Sequence, residues 1–450
     1  MGDARYEPGP CPKTPEPIAA LKDARCGTLT VPENRAGPGG SGGRTIRLGV
    51  VIVPAAASTP KPDPIVRLAG GPGDNAVWAA TRAVDGGLNR DRDVILMSQR
   101  GTYSADPALT CRTIDEFEAR AVGLVSYAPS TERAHVEATR SCRDQLAGRG
   151  TDLAAYNDIE SAADLAGLRR TLGIPPWNVF GISYGTHLAL VSMRDHPEGI
   201  RSVGLDGILP PSRAGLALTW SSARQGINSL FQACAEQPAC NRRYPNLPAT
   251  FDTLVRRLDA EPVTTTVTPS GSPHPVEAVL DGGALVNGMT TATHVAPGVP
   301  RSLDELAHGR PQRIAEQGAG AKPDPQTFGH ISHGLEYGVF CGEWVPYETG
   351  ADIVRSGREA FPAFPRSVLA QAPQLTFVRP DCGVRNIPAV PRSVRDVTRS
   401  DIPTAPDTDC LKDIEPPAFE TGPGETKERR RRRNGRFRRV PPRAPWWWPY

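Results

Sequence analysis

The chain has 450 residues, 38% hydrophobic and 22% charged, with Gly 45 and Pro 47, which excludes a mini-protein and a chain of low complexity throughout and suits a large domain with an insertion. No run reaches the roughly 18 apolar residues of a membrane helix, and the longest apolar stretch, Gly49 to Ala57, is strand-sized. The net charge of +3 belongs to the last residues: 11 Lys/Arg stand against 7 Asp/Glu over 405–450, and 41 against 42 before them, so the first 404 residues carry no electrostatic footprint for nucleic acid.

Met1 to Pro8 lacks the apolar segment of a secretory signal, so none is expected in this chain, and residues 1–25 read as an extension. From Thr45 the residues Ile46, Leu48, Val50 and Ile52 alternate with their neighbours, which predicts a strand. Pro64–Leu68 is a second, ending in Gly70-Gly71-Pro72-Gly73, and Asp93–Met97 a third, stopped by Gly101. A helix is expected over about 158–172, with Asn157 or Asp158 as its cap. A short strand, Trp177–Phe180, a glycine-flanked turn and a helix over 186–195 follow, then a strand over 202–206. Strands alternating with helices predict an α/β fold, a mostly parallel sheet covered on both faces. The resulting division is a core over 26–211, an inserted, mainly helical cap over 212–390, the start of a returning core over 391–404, and a basic tail over 405–450 expected to lack structure. The tail holds eight arginines between 429 and 439 and ends in Trp446-Trp447-Trp448-Pro449-Tyr450.

The nine cysteines form no CxxC and have no histidine at zinc-ligand spacing, so neither metal nor cofactor is expected. The first eight group as neighbours along the chain, Cys11 with Cys26, Cys111 with Cys142, Cys234 with Cys240 and Cys341 with Cys382. Eight cysteines allow about a hundred connectivities, so this pairing is a preference; it points to an exported protein. Cys410 is left over in the tail.

Gly181-Ile182-Ser183-Tyr184-Gly185 fits G-x-S-x-G between a predicted strand and a predicted helix. Small residues on both flanks permit a sharp turn that lifts Ser183 above the sheet edge as a nucleophile. The helix behind it aims its dipole and the Tyr184 amide at an oxyanion formed there. A second donor is needed, and the amide of Gly71, or of Gly70, follows an earlier strand of the same sheet.

Leu68-Ala69-Gly70-Gly71-Pro72-Gly73, Ser98-Gln99-Arg100-Gly101-Thr102 with Pro107 to Cys111, the Ser183 elbow and Leu205-Asp206-Gly207 together resemble the prolyl-iminopeptidase and tripeptidyl-aminopeptidase branch of the α/β-hydrolases. Cys26-Gly27-Thr28-Leu29-Thr30-Val31-Pro32 is similar to the opening strand of secreted bacterial members, and Cys341 and Cys382 to cysteines near the end of their cap. Ser98 and Ala69 depart from the family's usual Asp and His. The resemblance implies an α/β-hydrolase fold and hydrolysis of peptides, amides or small esters near the substrate's amino terminus through an acyl-enzyme on Ser183. Recognition of that terminus needs a carboxylate, for which Glu343 in the cap is the candidate.

The family's chain order is Ser, acid, His, with acid and His beyond the segment matching Val397 to Thr404. The eight histidines are His135, His187, His196, His274, His294, His308, His330 and His333, so none follows that point. The break in composition after Thr404 is expected to mark a frame change or truncation, with the last core strands missing. Asp206, at the end of the strand after the elbow strand, is then the candidate acid. His330 and His333 are the nearest candidates for a base, while His187, one turn beyond Ser183, should point away. The alternative to a hydrolase, impaired in this form, is a binding protein that keeps the pocket without the chemistry. The arginine run reads as a solvated tail rather than a nucleic-acid site.

Overall fold

The computed structural model describes residues 4–14, 17–37, 43–213, 215–268, 274–291, 297–319 and 331–396. The expected tail, the segment 397–404, Cys410, His294 and His330 lie outside the described residues.

Among the described residues the core is an eight-stranded sheet. In chain order its strands are β1 (Arg5–Pro8), β2 (Arg25–Pro32), β3 (Thr45–Val53), β4 (Ile65–Leu68), β5 (Val94–Met97), β6 (Ala105–Asp106), β7 (Trp177–Ile182) and β8 (Ile200–Asp206). Spatially they run β1-β2-β3-β5-β4-β7-β8, with β6 pairing to β3. The strands β5, β4, β7 and β8 are mutually parallel, and β1 to β3 add an antiparallel flank. Val94, Ile95, Leu96 and Met97 are all buried, as a strand covered on both faces requires. The expected strands agree with these to within about two residues. Arg5–Pro8 is a difference: the stretch expected as an extension pairs with β2 as an edge strand.

The helices beside the sheet are α1 (Ala80–Asp85), α2 (Arg112–Ala121), α3 (Pro129–Gly148), α4 (Asp158–Thr171) and α5 (Tyr184–Asp195). Helix α4 begins where the sequence predicts: the Asn157 side chain accepts the Glu160 amide as N-cap. After β8 the described residues are mainly helical from α6 (Leu218–Glu236) onward, with one antiparallel strand pair among them, β9 (Val263–Val267) and β10 (Val276–Leu280). This lobe shares one apolar core with α2 and α3: Leu109, Ile114 and Leu146 belong to the same buried cluster as Trp220, Phe251 and Phe340. It is therefore assembled from two stretches of chain. Four disulfides join Cys11–Cys26, Cys111–Cys142, Cys234–Cys240 and Cys341–Cys382, the neighbour pairing preferred from sequence. Among the described residues no helix is long and apolar enough to cross a membrane.

The order of the strands decides where a site belongs. The chain enters the parallel part at β4, returns to β5 on one side and continues to β7 on the other. The carboxyl ends of β4 and β7 therefore flank a topological switch point, where crevices open in α/β sheets. The Gly70–Gly73 turn and the Ser183 turn stand at those two ends, since Leu68 pairs with Gly181.

Candidate active site

Ser183 joins β7 to α5 at φ 53°, ψ −124°, a region that costs a non-glycine residue roughly 1–3 kcal/mol. Neighbouring backbone holds it there. Its N–H donates to the Asp206 carbonyl at 2.8 Å, and its own carbonyl accepts from the Thr186 amide at 2.8 Å and the Thr186 hydroxyl at 2.6 Å. The flanking glycines are required by space: a Cβ on Gly181 would lie 2.4 Å from the Gly185 carbonyl oxygen, and one on Gly185 2.5 Å from that of Leu68. The side chain of Ser183 is half-buried, and no described residue hydrogen-bonds its hydroxyl. The Tyr184 amide opens a helix of 12 residues, so it has no acceptor within that helix.

The neighbouring turn is equally tight. Gly71 has φ +101°, and a Cβ there would sit 2.6 Å from the Gly73 amide nitrogen. The Gln99 side chain donates to the Ala69 carbonyl at 3.4 Å, which ties the loop after β5 to this turn. The helical lobe docks on it as well, through the Ser332 amide on the Gly73 carbonyl at 3.0 Å. Arg100, in the same loop as Gln99, is fully buried and serves the scaffold: it forms a bidentate pair with Asp164 at 2.9 Å for each bond and donates to the carbonyls of Glu33 and Ala155 at 2.6 Å.

The other expected site residues are not brought to Ser183. The Asp206 carboxylate is exposed and meets no described histidine. Its charged neighbour is Arg67, whose buried guanidinium is pushed down to about 10 by desolvation against the opposing pull of Asp74 and Asp206. Glu343 requires a correction. Its carboxylate is buried, accepts the Asp158 amide at 2.9 Å and lies 3.4 Å from His187 Nε2. It faces the protein interior, out of reach of a substrate ammonium. His187 points away from Ser183 as expected, into contact with Asp158 at 2.8 Å.

His333 is corrected as a candidate base. Both ring nitrogens are engaged, Nε2 with Asp115 and Nδ1 with Glu336, each at 3.0 Å. Burial alone would lower its pKa, but the two carboxylates outweigh burial and hold it at about 10. A pKa above the unfolded value of 6.5 stabilises the fold fully below that pH, and the contribution is lost as pH rises through about 10. Unfolding by urea is therefore expected to show stability falling by roughly 3–5 kcal/mol between neutral pH and pH above 10. His333→Gln should flatten that dependence; an equal slope in the variant would refute the assignment.

Sequence reasoning missed a second cluster directly behind the nucleophile. Asp158 at the start of α4, His187 on α5 and Glu343 on a π-helical turn, Phe340–Trp344, are all buried together. The Tyr184 hydroxyl donates to Asp158 Oδ1. Burial would lower the pKa of His187, yet Asp158 and Glu343 hold it up, at about 9. Burial and the charge of Asp158 push Glu343 upward. Among sequence signals only the apolar surroundings of Asp158 within the expected helix hinted at a buried carboxylate.

A profile of the alpha/beta hydrolase fold matches residues 63–263, the span that holds β4, β5, β7, β8 and the Ser183 turn. Over that span the chain is similar to the alpha/beta hydrolase fold family. Similar proteins include the serine protease Hip1 of Mycobacterium tuberculosis, 26% identical over 51% of this chain and 45% of that protein. Carboxylesterase B of the same species is 29% identical over 49% of this chain and 43% of its own length. Tripeptidyl aminopeptidase of Streptomyces lividans is 27% identical over 43% of this chain and 36% of its own. The matched stretch thus spans less than half the length of each of these curated relatives.

Proposed function

We propose that this chain is a serine hydrolase acting on peptide or amide bonds near a substrate's amino terminus, with Ser183 as nucleophile. The observation that carries the reading is the Ser183 turn itself: an unpartnered hydroxyl on strained backbone at the switch point of the sheet, in front of a helix N-terminus. Attack of Ser183 Oγ on a carbonyl carbon would put the developing oxyanion before the Tyr184 amide and the Gly71 amide, the donor pair an acyl transfer needs. Oγ gives its proton to solvent water as the C–O bond forms; the nitrogen takes a proton from water as the C–N bond breaks and leaves as the amine, and water then cleaves the acyl-enzyme to the free acid, returning a proton to Oγ. The substrate class is supported by relatives named as a serine protease and a tripeptidyl aminopeptidase, and small esters by one named a carboxylesterase. The helical lobe over 212–390, docked on the Gly73 turn, is the proposed cover of the substrate. Four disulfides support an oxidising compartment outside the cytosol.

The proton from Oγ needs an acceptor, and no described histidine supplies one at Ser183. Loss of the base lowers turnover about a million-fold in a triad enzyme. Prolonged incubation with a fluorophosphonate is accordingly expected to give a slow adduct at Ser183, detected by intact mass and absent in Ser183→Ala. A folded wild-type chain that stays unmodified, or an adduct that survives Ser183→Ala, would overturn the hydrolase. The first outcome would favour the second reading, a binding protein on the same fold, which the unpartnered Ser183 hydroxyl also suits.

A further inference from the structure

Every buried polar group needs a partner, and a buried carboxylate needs one most. Behind the nucleophile turn three side chains converge with polar atoms left over. Asp158 uses Oδ1 for the Tyr184 hydroxyl, and Glu343 uses Oε1 for the Asp158 amide. Their second oxygens, Asp158 Oδ2 and Glu343 Oε2, and both ring nitrogens of His187 lack a hydrogen bond of good geometry, and His187 meets Asp158 as an ion pair. These spare atoms face one another: His187 Nε2 is 2.8 Å from Asp158 Oδ2 and 3.4 Å from Glu343 Oε2, and one donor from each residue lies within 4.8 Å of the others.

We propose that Asp158, His187 and Glu343 form a binding site for one divalent first-row transition cation, zinc being the best match to one imidazole and two carboxylate donors. Zinc at about 2.0–2.1 Å from each ligand sets ligand separations near 3.3 Å in a tetrahedron. The 3.4 Å contact already has that spacing, and the 2.8 Å contact opens by about half an ångström. Charge favours the same occupant. With both carboxylates ionised and the His187 proton displaced by the cation, the two negative charges and the dication cancel. The nearest arginines are committed elsewhere: Arg100 is bidentate on Asp164, and Arg395 donates to the backbone carbonyl of Glu343.

The surroundings are those of an oriented metal site. Each carboxylate is fixed through its outer oxygen by a donor, the arrangement by which second contacts aim first ligands. The imidazole lies between the Tyr184 ring, stacked at 6.1 Å, and the Trp344 ring at 6.2 Å. The turn that carries Glu343 is pinned two residues away by Cys341–Cys382. A bound cation would join the helical lobe, through Glu343, to the two core helices, and hold through Asp158 the side chain of the residue that follows Ser183.

The site is closed, so the metal is to be supplied during refolding of the untagged, disulfide-intact chain. After dialysis, elemental analysis is expected to find about one zinc per wild-type chain and none in His187→Gln or Glu343→Gln, with Ser183→Ala unchanged. Refolding with cobalt(II) is expected to give the visible ligand-field bands of a low-coordinate nitrogen and oxygen site in the wild type, which needs no variant to fold. Wild-type protein that is folded by circular dichroism and retains neither metal would overturn the proposal, as would retention equal in His187→Gln. Neither result bears on Ser183, so this site and the hydrolase reading fail separately.

Discussion

Asp164→Ala is expected to cost about 3–5 kcal/mol of folding stability, read as a lower urea midpoint with an unchanged slope. Asp164 and Arg100 are both fully buried and share two hydrogen bonds of 2.9 Å, and Arg35 adds a third to the same carboxylate at 2.7 Å. Removing the carboxylate leaves the buried Arg100 charge with backbone carbonyls and one longer ion contact, to Glu160 at 3.4 Å. Most of the loss is the cost of that poorly compensated cation rather than the worth of the pair. Arg100→Met combined with Asp164→Leu should accordingly recover a large part of it. If the single variant were as stable as the parent, Glu160 alone would compensate the guanidinium and this account of the loop would be wrong.

Gly185→Ala tests the contact between the two turns of the site. An alanine Cβ there would lie 2.5 Å from the Leu68 carbonyl oxygen and 2.8 Å from that of Ala69, both backbone atoms of the strand end that leads into Gly70–Gly73. Backbone cannot swing aside as a side chain does, so β4 and α5 must part. Overpacking of this kind costs about 1–3 kcal/mol, and a displacement of roughly 1 Å between nucleophile and donors costs about a hundredfold in rate. Both are expected: a lower melting temperature and fluorophosphonate modification of Ser183 slowed about a hundredfold. Gly148→Ala is the matched control, since a Cβ there meets nothing within 4 Å; an equal loss in the control would show the effect to be unrelated to the contact.

The elements legible in the sequence were those with a strong period or a steric demand. The alternation of Ile46, Leu48, Val50 and Ile52 marked β3, and the glycines around Ser183 marked a turn that tolerates no Cβ. Arg5–Pro8 carried neither signal: it is a short edge strand that pairs with β2. The strand pair β9 and β10 escaped notice for a related reason, since Thr264 to Thr266 offer no apolar alternation and the pairing partner lies further along the chain. The lobe built jointly from α2, α3 and the later helices depends on tertiary contact between distant segments, which periodicity cannot report.

The same distinction runs through the site. The turns that carry Ser183, Tyr184 and Gly71 were readable because local geometry dictates their neighbours. Asp158, His187 and Glu343 sit on three elements far apart in the chain, so no metal-spacing motif exists to be found, and Glu343 looked free to meet a ligand until its burial was known. His333 was misread for want of its partner Asp115, which belongs to α2.

Among the described residues β8 is the outermost strand on its side of the sheet, and its last residue, Asp206, is also the acceptor for the Ser183 amide. The dihedral tension of the nucleophile is thus anchored at the rim of the molecule, not at its centre. A rim strand acts here as a splint: whatever steadies or frays it is felt by Ser183 before the interior of the sheet responds.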